Sequence, residues 1–393
     1  MTLFPLNPAL AATFPPPVME ARRWLDGVVF PPERPLINVS QAAPVDPPPE
    51  PLRRAIAEAA LTNPAAHLYG PVLGLDDLRL ELAHQWSEAY GGTIHRRQVA
   101  ITQGCNQAFC AVMATQAGPG DEVLLPTPWY FNHKMWLDMS SVKAVPLATG
   151  PDLLPDPEHA AALITPRTRA IVLVTPNNPG GVEYPATLVR AFYELAQARG
   201  LALILDETYR DFDARSGAPH DLFADPDWDE RLIHLYSFSK AYRLTGHRVG
   251  AIVASESRLA EVEKFLDTVA ICPNQLGQIA ALWGMRNLRQ WVAGERAEIL
   301  ARRKAMTEGL ATLPGWRTLG CGAYFAYVEH PSPQPSPEFA QRLVKEAGVL
   351  LLPGTMFMPS DDPAGQRQLR IAFANVDAAG IAQLMERLAQ ATP

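Results

Sequence analysis

Residues 236–252 read YSFSKAYRLTGHRVGAI. Lys240 stands among small hydroxyl residues, with Arg248 eight positions further on, inside a run that otherwise has the composition of a buried segment. Lysine and arginine are ordinarily solvated, and an interior position for either is costly unless something compensates the charge. The stretch is entered from a short apolar run, LIHLYS (232–237), and leaves into another, VGAIVAS (249–255). Five more runs of this kind precede it: VAITQG (99–104), EVLLP (122–126), AVPLA (144–148), AIVLVTP (170–176) and LALILDE (201–207). Brief, almost uninterrupted apolar runs are what strands buried on both faces look like, as in a mainly parallel sheet covered by helices.

Helical patterns fill the gaps. In residues 75–90, Leu75, Leu78, Leu82 and Trp86 recur at three- and four-residue spacing, the period of an amphipathic helix. LVRAFYELAQARG (188–200) has the same period and ends on Gly200, suited to a helix C-cap. Strand–helix alternation over this length predicts a doubly wound α/β domain with a seven-stranded, mainly parallel sheet. The final third changes character: helical patterns around 286–311 and 337–348, and strand-like AYFAYV (323–328), VLLLP (349–353) and QLRIAFAN (368–375). This predicts a smaller α+β domain. The expected division is a large domain over 51–285, a small C-terminal domain over 286–393, and an N-terminal arm over 1–50 that joins the small domain. The arm is expected to be extended, and 331–337 a loop, because prolines cluster in FPPP (14–17), PPERP (31–35), PVDPPPEP (44–51) and PSPQPSP (331–337).

Composition narrows the function. A net charge of -7 lacks the basic balance that nucleic-acid binding demands. No apolar run reaches the roughly 18 residues of a membrane span. The N-terminus lacks the basic segment of a signal peptide, so a cytoplasmic protein is expected. Cys105, Cys110, Cys272 and Cys321 show no CxxC or His–Cys spacing, so neither a metal site nor a disulfide framework is expected.

Doubly wound sheets place ligands at the carboxyl ends of their strands. The residues there are GCN (104–106), TPWY (127–130), TPNNPGG (175–181), DETY (206–209) and SFSK (237–240), which hold nearly every polar group a buried site needs. Two readings of Lys240 compete. Tyr236 and Lys240 fit YxxxK, the tyrosine–lysine pair of short-chain dehydrogenases, but that fold needs a glycine-rich nucleotide turn and no GxGxxG or GxxxGxG occurs in the chain. The second reading uses all five segments. SxSK followed by an arginine eight residues on, with NNPGG and D-x-x-Y upstream in that order, resembles the fold-type I pyridoxal phosphate (PLP) enzymes, and more narrowly the class I/II aminotransferases of the aspartate aminotransferase superfamily. The resemblance runs from about Tyr69 to Arg370. Each motif alone is weak; the ordered set is specific.

The resemblance implies a role for each residue. Lys240 would form the Schiff base with the cofactor aldehyde and afterwards shuttle the substrate Cα proton. Asp206 would pair with the pyridinium nitrogen, and Asn178 and Tyr209 with the phenolic oxygen. Gly104, Cys105, Asn106, Ser237 and Arg248 would bind the phosphate, the first three at a helix N-terminus. Tyr130, in preference to Trp129, would stack on the ring. Arg370 would clamp the substrate α-carboxylate beside Asn178 and Ala42. Tyr69 would reach the phosphate of a neighbouring subunit, making a homodimer with shared active sites. The implied activity is exchange of an amino group between an L-amino acid and a 2-oxo acid, with a β-lyase, decarboxylase, racemase or oxidase as alternatives on the same scaffold. A PLP-binding transcriptional regulator would need a basic helix-turn-helix segment that residues 1–50 do not supply.

Three positions depart from the commoner family pattern: Gln41-Ala42-Ala43-Pro44 in place of a glycine before proline, NNPGG in place of NNPTG, and His247 where tryptophan is frequent. The alanines would narrow the pocket. Dicarboxylate-specific relatives place a second arginine in the segment matching 265–285, which here contains no lysine or arginine, so aspartate or glutamate is not the expected preferred donor. Phe14, Phe30, Trp129 and Tyr324 are candidates for an aromatic-lined pocket.

Overall fold

The computed structural model describes residues 6–391. All seven apolar runs of the centre are strands: β2 (Val99–Thr102), β3 (Glu122–Thr127), β4 (Lys143–Ala148), β5 (Thr168–Val174), β6 (Ala202–Asp206), β7 (Leu232–Ser237) and β8 (Gly250–Val253), preceded in the chain by a two-residue strand β1 (Ile37–Asn38). The seven form one sheet in the order β2-β8-β7-β6-β5-β3-β4. Pairing is parallel throughout except at β8, which runs antiparallel to both β2 and β7. Alternate side chains of each central strand enter different cores. Leu203 and Leu205 of β6 join one hydrophobic cluster and Ile204 the other, and Ile171 and Val172 of β5 divide in the same way. That two-sided burial is why the strands read as unbroken apolar runs rather than alternating ones.

The helices follow their sequence signals. Leu78, Leu82 and Trp86 face the core from helix Asp76–Tyr90, and Gly200 closes helix Ala186–Arg199 at φ 68°. The last third forms a four-stranded antiparallel sheet, β12-β13-β10-β9, from β9 (Arg317–Gly322), β10 (Phe325–Glu329), β12 (Leu352–Pro353) and β13 (Gln368–Ile371), with β11 (Val349–Leu350) outside it. Helix Arg289–Ala311 packs on β9, and helix Ala378–Ala391 packs on that helix. β1 pairs in parallel with β11, tying the N-terminal segment to this region.

Two expectations need correction. The N-terminal arm is not wholly extended: Pro8–Ala12 and Pro17–Arg23 are helices. Each begins with proline at its first turn, where the missing N–H costs nothing and the fixed φ suits a helix. The part of the arm at residues 1–5 lies outside the described residues. The loop at 331–337 ends earlier, because Ser336 and Pro337 open helix Ser336–Arg342. Among the described residues no helix is long and apolar enough to cross a membrane.

Candidate active site

The carboxyl ends of β5, β6 and β7 meet β13 and helix Pro17–Arg23 around a cavity of about 420 Å³. One corner is built for an anion. Helix Cys105–Gln116 begins after Gly104 (φ 85°), and no side chain caps its first turn, so free N–H groups face the cavity end. A Cβ on Gly104 would lie 2.2 Å from Nη2 of Arg248; glycine is what lets the guanidinium sit against the turn. Arg248 donates through Nη1 to the Thr245 carbonyl at 3.0 Å and to Ser239 Oγ at 3.4 Å. Ser237 ends β7 and accepts from the Ser239 N–H at 3.3 Å. Cys105, Asn106, Ser237, Ser239 and Arg248 all line the cavity.

Asp206 is the last residue of β6 and is buried. Its Oδ1 accepts from the Thr208 N–H at 3.0 Å, and its Oδ2 lies 3.4 Å from Nε2 of His133. Burial alone would raise its pKa; the His133 and Thr208 contacts outweigh burial and hold it below the ordinary carboxylate value. The next carboxylate, Glu207, faces away and is held by His234 Nε2 at 2.8 Å and by the Tyr90 hydroxyl. Period-two alternation at the strand end separates the two acids.

Lys240 projects from the short helix Phe238–Ala241 that follows β7. Its Nζ donates to the Ala42 carbonyl at 2.7 Å and lies 5.6 Å from the centre of the Tyr209 ring. Burial, and then the charges of Arg248 and Arg370, lower its pKa to about 8. A sizeable fraction of the amine is therefore neutral near physiological pH, which a lysine nucleophile requires.

Arg370 lies on β13 and is 2 % exposed. Nη1 donates to Asn178 Oδ1 at 3.0 Å, Nη2 to the Ser40 carbonyl, and Nε has no partner. Burial lowers its pKa to about 10, so it remains a cation at neutral pH. The Phe325 and Phe357 rings lie 5.1 and 4.9 Å from the guanidinium carbon and offset part of its desolvation. Because Arg370 occupies Oδ1 of Asn178, that amide presents Nδ2 as a donor. Tyr209 lines the cavity and packs on Tyr324 and Phe325.

Of the residues singled out in the sequence, the structure brings Ala42, Cys105, Asn106, Tyr130, Asn178 and Asp206 to the cavity, with Tyr209, Ser237, Lys240, Arg248 and Arg370. Gly104 shapes the corner without lining it. Tyr69 stands apart and is 79 % exposed. Tyr130 donates to Asn106 Oδ1 at 3.1 Å, whereas Trp129 lines a different cavity beside Phe14 and Met356. The aromatic set Phe14, Phe30, Trp129 and Tyr324 does not line the active cavity; Phe131 does, beside Tyr130. Sequence reasoning missed three contributors. His133 is buried, stacks on Phe109 with ring centroids 3.8 Å apart, and contacts Asp206. Ser239 stood inside the quoted motif without a role. Helix Pro17–Arg23 supplies Val18, Met19 and Arg22, and nothing in the local sequence marks that wall.

The residues present fit PLP. An uncapped helix start, an arginine and two serine hydroxyls suit a phosphate. A buried carboxylate with a depressed pKa suits a protonated ring nitrogen, and an amine whose pKa is about 8 suits an aldehyde.

Comparison with known proteins agrees. Residues 34–388 match the family model described as aminotransferase class I and II. The chain is 29 % identical over 338 residues to an aspartate aminotransferase of Sulfolobus acidocaldarius, covering 82 % of each chain. It is 32 % identical over 298 residues to an arginine–pyruvate transaminase of Pseudomonas aeruginosa, covering 74 % of this chain and 75 % of the other. The solved structure of Thermus thermophilus aspartate aminotransferase with maleate superposes with a TM-score of 0.89 at 25 % identity, over 99 % of this chain and 100 % of that one.

Proposed function

The chain belongs to the class I and II aminotransferases, and from that premise we propose that the cavity around Lys240 is its catalytic centre, with each lining group in the role its chemistry suits. The protein is a PLP-dependent aminotransferase acting on amino acid and 2-oxo acid substrates. The observation that carries the assignment is the convergence of Lys240, Asp206 and Arg370 on one cavity, from β7, β6 and β13. When bound, PLP supplies an electron sink for the bonds of the substrate Cα.

The chain's own groups do the rest. Arg248, Ser237, Ser239 and the free amides of Cys105 and Asn106 bind the phosphate. Asp206 holds the proton on the ring nitrogen, and His133 and Thr208 keep that carboxylate ionised and aimed. Asn178 Nδ2 and Tyr209 donate to the phenolic oxygen, and Tyr130 covers the ring. Arg370 binds the substrate α-carboxylate and thereby sets which Cα bond is presented for cleavage. Lys240, neutral in part, would take the proton from the substrate Cα. We take the large and small domains to divide at 51–285 and 286–393, near the break at Leu288 between helices Gln275–Asn287 and Arg289–Ala311.

A screen of amino donors and 2-oxo acid acceptors, with products identified by mass, tests the reaction. A new amino acid is expected; release of ammonia or carbon dioxide without one would overturn transamination. Substitution of Arg370 by alanine is expected to lower kcat/KM by about 10²-fold, chiefly through KM, because it removes a charged, two-pronged contact. Lysine at this position restores little, since a point charge cannot reproduce the fork.

We further propose a homodimer with shared sites. Gly70 N–H meets Cys272 Sγ at 3.4 Å, and near these two residues in the chain Leu68, Tyr69, Val269 and Ile271 are all exposed. The Gln103 side chain bonds the Cys272 carbonyl, joining this apolar rim to the phosphate corner. Such a patch suits burial against a second subunit. Sedimentation is expected to give about twice the 43.0 kDa of one chain; a monomer at micromolar concentration would refute the shared site.

A further inference from the structure

Three consecutive residues of the N-terminal segment hold three cations of the cavity. The Ser40 carbonyl accepts from Arg370, the Gln41 side chain from Arg22, and the Ala42 carbonyl from Lys240. Arg370 and Lys240 already have roles, as has Arg248. Arg22 is the cavity cation left over, and we propose that Arg22 is the specificity-determining residue that binds a distal carboxylate, making a dicarboxylic amino acid and its 2-oxo acid the favoured substrate class. The inference rests on the aminotransferase reading and deepens it.

Charge carries the argument first. The Arg22 guanidinium donates through Nη2 to Gln41 Oε1 at 2.6 Å, an uncharged partner. The nearest acid in the helix, Glu20, is taken by Arg23 at 2.6 Å. Among the described residues no carboxylate pairs with Arg22, and the one acid lining the cavity, Asp206, is committed to His133 and Thr208. An arginine lining a pocket with donors to spare matches a carboxylate in two-pronged fashion.

Position carries it second. Arg370 and Arg22 are tied to adjacent residues of one strap, and Asn375 anchors that strap through the carbonyls of Asn38 and Gln41. Both guanidiniums line the same cavity and bond neighbouring residues of that strap, Arg22 through the exposed side chain of Gln41, and Pro17, Val18, Met19 and Phe131 add apolar lining to it. A molecule with a carboxylate at each end and a short hydrocarbon between them satisfies this arrangement. The proposal runs against the expectation drawn from residues 265–285, that acidic donors are not preferred, because the second arginine would come from the chain's own N-terminal helix.

The test compares glutamate with glutamine, which differ only in the distal charge. In Arg22→Ala the ratio of their kcat/KM values is expected to fall by about 10- to 100-fold, the worth of one charge-assisted contact. Arg22→Lys is expected to recover part of that ratio, while Arg23→Ala leaves it in place. Maleate, a dicarboxylate without an amino group, reads the same contact without turnover: calorimetry on the cofactor-loaded protein should show its Kd rise by a similar factor in Arg22→Ala. Equal maleate affinity in the two proteins, or parallel loss of glutamate and glutamine activity, would overturn the role of Arg22. Failure to form any new amino acid would instead overturn the aminotransferase reading, and the maleate result would still decide Arg22.

Discussion

Lys240→Ala is expected to lower amino-group exchange by about 10⁴-fold or more, since it removes at once the nucleophile and the group that carries the Cα proton. Of the six lysines in the sequence, Lys240 is the one that lines the cavity. Borohydride reduction of the loaded protein should therefore add the cofactor mass to the peptide containing Lys240, and to no peptide in the alanine variant. Substantial residual exchange, or the label on another lysine, would remove the foundation of the mechanism. The cofactor-free protein offers a second readout. Burial beside Arg248 and Arg370 brings the Lys240 pKa from 10.5 to about 8, so its acylation rate should rise with a midpoint near 8. The linkage has a definite sign. The unfolded chain binds the proton more tightly than the folded one, so this group's contribution makes stability rise with pH between about 8 and 10.5. A midpoint that stays near 10 would mean that the amine is solvated.

Asp206→Asn should lower kcat by about 10³-fold while leaving the fold intact, because the amide preserves shape but not the charge that, on the proposed assignment, would hold the ring nitrogen protonated. The cost reaches beyond the missing charge. Asp206 is buried at the end of β6, and its partner His133 loses a carboxylate acceptor 3.4 Å away. Glutamate at 206 keeps the charge but moves it, and is expected to fall between the two. Activity of Asp206→Asn within about tenfold of the unmodified protein would assign the ring-nitrogen contact elsewhere. Glu207 is an internal control for position: it is as buried as Asp206 but committed to His234 and Tyr90 on the other side of the strand, and it does not line the cavity.

The central sheet was legible because two-sided burial leaves a local mark. Each strand is a short apolar run, and its polar residues collect at the carboxyl end, where the cavity lies. The small sheet was only partly legible: β9, RTLGCG (317–322), carries two glycines and an exposed first half, and so lacks an apolar run. The N-terminal helices were read as extended because proline was taken as a breaker, whereas at a first turn it is tolerated.

The sequence by itself determined the seven-stranded α/β sheet and pointed to most of the residues that line the cavity, since both are written in local segments: apolar runs, and the polar residues at their carboxyl ends. Only the tertiary structure decided what surrounds them. Ala42 meets Lys240 across 198 positions, Ser40 meets Arg370 across 330, and Asn178 meets Arg370 across 192. Arg22 lines the same cavity, although its bond to Gln41 spans only 19 positions. Contacts at the longer separations leave no periodicity to read, because they are set by how the arm and the small domain pack against the strand ends rather than by any local pattern.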